Sequence, residues 1–168
     1  MVFTLEVWKE SYIADVAKHA NNKKIADNLR DVFPHPYAYE DARWYINDCI
    51  EKGDRQQLCR AIVVDGEAVG SVGIFVRDDV YRRSAELGYW LSEAWWGKNI
   101  MSQAVRQLCE EAFQAFDIIR IFAEPYAYNT GSRKVLEKAG FQLEGILKDS
   151  VCKNDQIYDS CIYALLKP

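Results

Sequence analysis

The sequence predicts a single α+β domain, residues 1–168, built on a central, mixed and mostly antiparallel sheet that is flanked by helices. Two turn signals, Asp65-Gly66 and Asn154-Asp155, each separate a pair of apolar segments, which is typical of β-hairpins. Between these hairpins, residues 99–116 repeat apolar side chains every three or four positions, as an amphipathic helix does. With 168 residues, of which 49% are hydrophobic, the chain has the length and apolar content of one ordinary domain.

The N-terminal third of the chain predicts one strand and three helices, separated by residues that interrupt regular structure. Asn21-Asn22 ends the first helix, and the FPHPY stretch (33–37) cannot lie inside a helix, because proline lacks an N–H and disfavours helical backbone before it. Glu40 and Asp41 put carboxylates in the first turn of the third helix, where the helix dipole favours them. The predicted elements are a strand at 2–8 with Phe3, Leu5 and Val7 on one side, a helix with an apolar stripe from Tyr12 to Ala20, a short helix near 23–30, and a helix that ends at Gly53 and buries Ala42, Tyr45, Ile46, Cys49 and Ile50.

The rest of the chain predicts six strands and two helices. Apolar runs bounded by turn residues indicate the strands, and Gly140 ends the second helix because glycine readily adopts the left-handed backbone found there. The predicted strands are 58–64, 68–76, 84–91, 118–126, 141–152 and 156–166, and the predicted helices are 99–116 and 129–139. The buried face of the longer helix is Met101, Ala104, Val105, Leu108, Ala112, Phe113 and Phe116.

Charge and cysteine content exclude several classes of protein. The 21 basic and 25 acidic residues give a net charge of −4, which offers little to neutralise a phosphate backbone, so nucleic-acid binding is not expected. The five cysteines show no CxxC spacing and mostly lie in apolar patterns, so we expect neither disulfides nor a metal site. The N-terminus lacks the pattern of a signal peptide and no apolar run approaches the ~20 residues of a membrane span. A cytoplasmic protein without a membrane partner is expected.

The segment from the strand GYWL (88–91) through the turn SEAWWGKN (92–99) to the following helix predicts an anion site. A strand that leads tightly into a helix presents the unpaired amides of the helix start, and these attract anions. Gly97 lets the backbone approach a ligand, Lys98 adds positive charge and Ser102 offers a hydroxyl. A pyrophosphate fits here better than elsewhere in the chain, although neither phosphate-loop spacing, GxxxxGK[ST] or GxGxxG, is present. Many junctions of this kind only connect two elements.

Two segments, WWGKNIMSQA (95–104) and NTGSRKVLEKAGF (129–141), with a strand between them, resemble the GNAT family of acetyl-CoA-dependent N-acetyltransferases. The resemblance covers essentially the whole chain and implies the GNAT-type fold. ELGYWLSEAWWGKNIMSQA (86–104) and FPHPYAYEDA (33–42) are most similar to ribosomal-protein N-terminal acetyltransferases of the RimJ/RimL type. The resemblance therefore implies an enzyme that uses acetyl-CoA as co-substrate and needs no metal.

The resemblance also implies which residues hold coenzyme A. Residues 96–102 match the family loop [QR]xxGx[GA], whose amides bind the pyrophosphate; they are Trp96, Gly97, Lys98, Asn99, Ile100, Met101 and Ser102. Trp96 stands in place of Gln or Arg, Asn99 in place of the central Gly, and Met101 in place of the last small residue. The backbone of Trp90 and Leu91 takes part in binding the pantetheine arm, which adds to the sheet like a strand.

The candidate catalytic residues are Glu86 and Ser132. A carboxylate at Glu86, two residues before Gly88 on the strand that faces the acyl group in the family, accepts the proton of the amine, directly or through a water; an alternative is a strand Glu in solvent or paired with Arg82 or Arg83. Ser132 matches a Ser that reaches the thioester sulfur, and Asn129 matches the Asn that binds the pantetheine or a nearby water. Asn129 and Ser132 also suit the cap of the following helix.

The proton donor to the leaving thiol has further candidates. Many relatives use a Tyr at the position of Leu136, so Ser132 remains in this segment, with Tyr126 and Tyr128 as alternatives. A covalent cysteine route needs an activated thiol, and neither His19 nor His35 is near a cysteine in sequence, so direct attack in a ternary complex is favoured.

The predicted activity is acetyl transfer to a primary amine, such as the α-amine of a protein N-terminus. Two other functions stay open: acetylation of a small amine such as a polyamine or aminoglycoside, and coenzyme A binding without turnover, which the departures at Asn99 and Leu136 motivate. Glu40, Asp41 and Glu86 are candidates for attracting a cationic acceptor, and Trp44, Trp95 and Trp96 for the rim of its cleft. A homodimer is one possible oligomeric state.

Overall fold

The computed structural model describes residues 2–168, and Met1 lies outside the described residues. The described strands are β1 (Thr4–Glu6), β2 (Gln57–Val64), β3 (Glu67–Val76), β4 (Ser84–Leu91), β5 (Arg120–Ala123), β6 (Gln142–Lys153) and β7 (Gln156–Leu166). The described α-helices are α1 (Ile13–Ala20), α2 (Lys23–Ala26), α3 (Tyr39–Lys52), α4 (Ile100–Ala115) and α5 (Thr130–Lys138). Short 3₁₀ turns occupy Glu10–Tyr12, Asp79–Tyr81 and Glu93–Trp95.

The seven strands described within residues 2–168 form one sheet in the order β1-β2-β3-β4-β5-β7-β6. β4 and β5 pair in parallel, whereas β1 with β2, β5 with β7 and β6 with β7 pair antiparallel. The predicted α+β class and its mixed, mostly antiparallel sheet are confirmed. Backbone contacts divide the chain into two compact units, so the single-domain organisation stays a prediction.

The first unit contains the residues up to Gly73 together with Tyr89–Ile100. Its core is formed by α1, α3 and the neighbouring strands, and the apolar stripe predicted for the first helix is buried at Ile13, Val16 and Ala20. Trp8 lies edge-on to Tyr45 of α3, with ring centroids 5.8 Å apart. Burial of these large side chains is the main favourable term in the stability of this unit.

The second unit contains Ile74–Gly88 and Met101–Pro168. The apolar face predicted for the long helix is fully buried at Ala104, Val105, Leu108 and Ala112. The β5–β7 and β6–β7 ladders extend from this core, and Asn154 and Asp155 turn β6 into β7 with φ of 52° and 60°. In the first unit, Asp65 and Gly66 turn β2 into β3 in the same way, with φ of 51° and 80°. Positive φ at both central residues suits the right-handed twist of a hairpin, and both predicted hairpins are confirmed.

Several predicted boundaries are wrong. β1 ends at Glu6, so its alternation does not reach Val7, which is exposed. The second helix ends at Ala26, and Ile50 lies outside the buried stripe of α3 formed by Ala42, Ile46 and Cys49. These three stripe residues follow the helical repeat, and Ile50 is turned about 100° from Cys49.

The segment predicted as a strand over 118–126 forms a strand only over Arg120–Ala123. Pro125 has no N–H to donate to a ladder, and Tyr126 beyond it makes only an isolated bridge to Ser160. Similarly, α4 begins at Ile100 and not at residue 99, because Asn99 has a φ of 60° that no α-helix contains.

Gly70 of β3 permits a close approach of backbone from β4. A Cβ at this position would lie 2.7 Å from the carbonyl oxygen of Trp90 and 2.9 Å from Cδ1 of Leu91. Real Cβ atoms do not come so close to backbone, so a side chain here would push the two strands apart.

We therefore expect Gly70→Ala to lower the free energy of unfolding by about 1–3 kcal/mol, the usual cost of overpacking. Chemical denaturation measures the change. Gly145→Ala is the matched control, since a Cβ there meets no atom within 4 Å. Equal stability of the two variants would contradict the proposed close approach.

Candidate functional site

The turn between β4 and α4 is built from two residues with left-handed backbone. Gly97 has a φ of 72° and Asn99 a φ of 60°. Asn is among the non-glycine residues that tolerate this conformation best, so the replacement of the expected Gly is compatible with the shape of the turn. The first N–H groups of an α-helix have no partner within the helix. The turn therefore leads directly into the helix start at which the anion site is predicted.

Three side chains at the start of α4 point away from solvent. Ile100, Met101 and Ser102 are all buried. Met101, which stands in place of a small residue, thus adds to the core. The predicted binding of an anion by the main chain at this helix start stays a prediction.

Trp96 binds back to the strand that precedes the turn. Its indole Nε1–H donates a hydrogen bond to the carbonyl oxygen of Leu91 at 2.8 Å, while the side chain is 42% exposed. Lys98 lies in solvent with its Nζ 5.8 Å from the ring centroid of Trp95, within the range of a cation–π contact. The Trp at this position therefore fixes the end of β4, a role that the sequence did not predict.

The first residues of the turn are held by contacts from distant parts of the first unit. The Ser92 N–H donates to the Val69 carbonyl at 2.8 Å. The Glu93 carboxylate accepts from Lys24 Nζ at 2.7 Å and from Asn22 Nδ2 at 3.2 Å. The hydrogen bond from Lys24 and, next, that from Asn22 lower the pKa of Glu93. No motif connects residues 22–24 with residue 93, so sequence reasoning could not find these contacts.

Asn129 and Ser132 meet at the start of α5. Asn129 is the N-cap, and its side-chain oxygen accepts the backbone N–H of Ser132 at 3.2 Å. The capping interpretation is thus confirmed for Asn129. Leu136, at the position where many relatives carry Tyr, is fully buried and belongs to the core.

The two tyrosines considered as proton donors differ in exposure. Tyr126 is buried, whereas Tyr128 is exposed and its ring centroid lies 4.8 Å from that of Tyr158. Both therefore take part in packing.

Glu86 lies on β4 at the level where β4 pairs with β5. Its backbone is opposite Phe122, and its side chain is half-buried on the face of the sheet opposite to that of the buried Ala85 and Leu87. β5 ends at Ala123, one residue past Phe122, whereas β4 continues to Leu91. The second half of β4 thus extends beyond the parallel ladder.

The residues considered for the acceptor lie on the outer face of α3. The Asp41 carboxylate accepts a hydrogen bond from the backbone N–H of Ala38 at 2.8 Å and so caps the helix. Oε2 of Glu40 lies 3.6 Å from Nη1 of Arg43. Trp44 is 67% exposed. A groove of about 340 Å³ runs along this face, lined by Glu40, Arg43, Trp44, Asn47, Asp48 and Glu51.

The cysteines give no sign of a reactive thiol at the turn. All five are free, and Cys49, Cys59, Cys109 and Cys161 are buried, while Cys152 is exposed and departs from the expected apolar pattern. Burial raises the pKa of the Cys109 thiol to about 12, which keeps it protonated and unreactive. Within residues 2–168 no cluster of three or more His, Cys, Asp or Glu is arranged to hold a metal ion. None of the helices described there is long and apolar enough to cross a bilayer.

Comparison with known sequences identifies relatives over most of the chain. A family model described as an acetyltransferase (GNAT) domain matches residues 3–142. The probable N-acetyltransferase YjcK of Bacillus subtilis (strain 168) is 35% identical over 119 residues, which are 71% of this chain and 66% of that protein. The ribosomal-protein-serine acetyltransferase of Escherichia coli (strain K12) is 34% identical over 103 residues, which are 61% of this chain and 57% of that protein. The matched part thus spans less than two thirds of either relative.

Comparison of structures gives the fold of this family. RimL, a ribosomal L7/L12 α-N-protein acetyltransferase solved in complex with coenzyme A, superposes with a TM-score of 0.87 and 24% identity, covering 99% of this chain and 94% of that chain. At this identity the likeness concerns the fold. The GNAT-type fold that the motifs implied is confirmed.

The cap at Asn129 yields a prediction about the stability of the protein. We expect Asn129→Ala to lower the free energy of unfolding by about 1 kcal/mol, the usual cost of a lost N-cap. Asn129→Ser should retain most of the wild-type stability, because serine is also a good N-cap residue. Denaturant titration of both variants measures this. Equal stability of Asn129→Ala and the wild type would show that the cap contributes nothing.

Proposed function

The chain belongs to the GNAT acetyltransferase family, and on this premise we propose that it transfers an acetyl group from acetyl-CoA to a primary amine. The observation that carries the proposal is the turn at Gly97–Asn99, whose left-handed backbone presents the start of the 16-residue helix α4. A helix start of this kind binds phosphate groups through its amides and its positive dipole.

In this proposal the pyrophosphate of coenzyme A binds the main chain of residues 97–102. The buried side chains of Ile100, Met101 and Ser102 hold the helix start in place. Lys98, which is exposed, adds a positive charge that can reach a phosphate oxygen. Gly97 contributes in another way: a Cβ there would meet no protein atom within 4 Å, so the space above it is open to a ligand.

The pantetheine arm binds along the second half of β4, where the strand extends past β5. We assign the main-chain groups of Trp90 and Leu91 to this contact, in the manner of an added strand. Trp96 supports the assignment, because its hydrogen bond holds the Leu91 carbonyl. A carbonyl oxygen has two lone pairs, and one of them stays available after this bond.

The reaction proceeds by direct attack in a ternary complex. The amine nitrogen forms a bond to the acetyl carbon while the carbon–sulfur bond of the thioester breaks. The amine proton passes to the Glu86 carboxylate, directly or through a water, and Glu86 later returns it to solvent. The leaving sulfur receives a proton from the Ser132 hydroxyl, which takes up a proton from solvent in turn. Asn129 lies next to this position through its cap to Ser132 and binds the pantetheine or a nearby water.

The acceptor we propose is the α-amine of a protein N-terminus. An α-amine has a pKa of ~7.7–8.0, against ~10.4 for lysine, so it is more readily available in its reactive neutral form. A relative named as a ribosomal-protein-serine acetyltransferase, 34% identical over 103 residues, supports this choice. The carboxylates along the outer face of α3 suit a cationic acceptor.

A panel of acceptors tests the proposal. Thiol release from acetyl-CoA is followed with N-terminal peptides, polyamines and aminoglycosides, beside calorimetric titration of coenzyme A alone. We expect saturable binding of coenzyme A and turnover with peptides that carry a free α-amine. Turnover with polyamines or aminoglycosides only would favour a small-amine enzyme, and binding without any turnover would favour a coenzyme A binding module. Absence of saturable binding at millimolar coenzyme A would overturn the proposal.

The position of Asn99 predicts a gain in affinity. Asn99→Gly removes a Cβ and an amide branch from the turn that meets the pyrophosphate, and glycine adopts a φ of 60° without steric cost. We expect a lower dissociation constant for coenzyme A in calorimetry. An unchanged or higher value would show that the Asn side chain does not hinder the ligand.

The role of Glu86 predicts a pH-dependent loss of rate. We expect Glu86→Gln to lower kcat, by about 10²-fold where a general base is most needed, and most strongly at low pH, where the amine carries its proton. Glu110→Gln, which removes an exposed carboxylate on α4, is the control and should leave the pH–rate profile unchanged. A Glu86→Gln profile parallel to that of the wild type at all pH values would remove Glu86 from the role of base.

A further inference from the structure

A chain of three polar side chains, of which Glu67 is partly exposed, links α1 to the end of β4. His19, in the last turn of α1, is 11% exposed. Its Nδ1 lies 3.0 Å from the Ser92 hydroxyl oxygen, and its Nε2 lies 3.2 Å from Oε1 of Glu67, the first residue of β3. Ser92, which follows β4 directly, is also buried. All three residues belong to the first unit.

The two ring nitrogens of His19 make different contacts. The hydrogen bond from Lys18 is the largest of the effects that lower the pKa of Glu67, so this carboxylate is ionised and can only accept. Nε2 lies close to this carboxylate but makes no hydrogen bond to it. Nδ1 and the Ser92 hydroxyl share one hydrogen bond, in which the tautomer of the imidazole decides which atom donates. This arrangement holds the residue next to Leu91 from its side chain, in addition to the Ser92 N–H bond to Val69.

We propose that His19 is a positioning residue for acetyl-CoA: by binding Ser92 it fixes the main chain at the end of β4 along which the pantetheine arm lies. The inference rests on the proposed function, since it concerns the affinity for coenzyme A. His19 touches no reacting atom in this account. It acts through Ser92, which lies between Leu91 and the 3₁₀ turn Glu93–Trp95 that leads to the pyrophosphate loop.

The charged groups around His19 come from the same unit. Lys18 Nζ lies 2.8 Å from Glu67 and is exposed. On the same helix, the Asp15 carboxylate accepts the backbone N–H of Ala68 at 3.0 Å, so α1 contacts the start of β3 at two successive residues. Asn22 and Lys24 bind Glu93, the neighbour of Ser92. Asp15 thus contacts the start of β3, and Asn22 and Lys24 contact the turn that follows β4.

The buried contact should matter more than the exposed ones. Ion pairs at the surface contribute little because water and salt screen them, which applies to the pair of Lys24 and Glu93. The His19–Ser92 contact is shielded from water, so removing one partner leaves a buried polar group unpaired. A displacement of the strand end would then misplace the groups that bind the cofactor.

The experiment compares His19→Ala, Ser92→Ala, the double variant and the conservative His19→Asn, with Lys18→Gln as the control. His19→Asn retains an acceptor near the position of Nδ1, and Lys18→Gln removes the exposed neighbour of Glu67 while leaving His19 in place. The readouts are the calorimetric dissociation constant of coenzyme A, and KM for acetyl-CoA and kcat measured separately. Thermal denaturation of each variant reports its folding.

We expect His19→Ala and Ser92→Ala each to raise the dissociation constant of coenzyme A and KM for acetyl-CoA by about 3- to 10-fold, the effect of one lost hydrogen bond. The double variant should be no weaker than either single variant, because both changes remove the same contact. kcat at saturating acetyl-CoA should stay within about twofold of the wild type, and His19→Asn should recover most of the affinity. Lys18→Gln should bind as the wild type does.

Other results would overturn the inference. The single-residue variants could bind coenzyme A within twofold of the wild type and differ only by a lower melting temperature. This result would show that the contact stabilises the fold and does not position the cofactor. Additive losses in the double variant would show that His19 does not act through Ser92. If His19→Ala does not fold, Ser92→Ala decides, since it removes a single oxygen atom. A wild-type protein that binds no coenzyme A would instead refute the proposed function, which separates the two failures.

Discussion

The backbone between Leu91 and Ile100 is the constraint on which the site depends. The chain has to leave β4, turn, and enter α4, at whose start the proposed anion site lies. Left-handed backbone at Gly97 and Asn99 makes this turn, with φ of 72° and 60°. Only a few residue types adopt such angles at low cost. A β-branched or bulky residue at either position would strain the turn and move the helix start, so these two positions govern what the rest of the loop can bind.

Polar contacts hold both ends of that turn in place. Trp96 donates to the Leu91 carbonyl at 2.8 Å, Ser92 donates through its N–H to Val69 at 2.8 Å, and Glu93 accepts from Lys24 at 2.7 Å. These contacts differ in how much they contribute to stability. The pair with Lys24 is exposed and screened, whereas the contact of His19 with Ser92 is buried and costly to leave unmade. The end of β4 is consequently fixed by a few shielded hydrogen bonds and by close packing against Gly70.

Departures from the family motif have different structural explanations. Trp96, where Gln or Arg is expected, binds the neighbouring strand, and Met101, where a small residue is expected, fills the core. Leu136, where many relatives have Tyr, is fully buried. Asn99, like Trp96, has an exposed side chain, and its left-handed backbone keeps the shape of the turn. All four replacements are therefore compatible with the fold.

The sequence by itself determined the fold class, the two hairpins, the main helices and the location of the turn before α4. These features arise from local patterns: alternation, helical repeat and residues that favour positive φ. The exact ends of β1, β5 and the short helix α2 required the structure, because Pro125 and the packing of neighbouring segments decide where a ladder stops. Only the tertiary structure joined His19 to Ser92, Lys24 to Glu93 and Asp15 to Ala68. Such contacts connect residues more than 50 positions apart, and their partners are chosen by the packing of helices on strands, which no periodicity in a single sequence encodes.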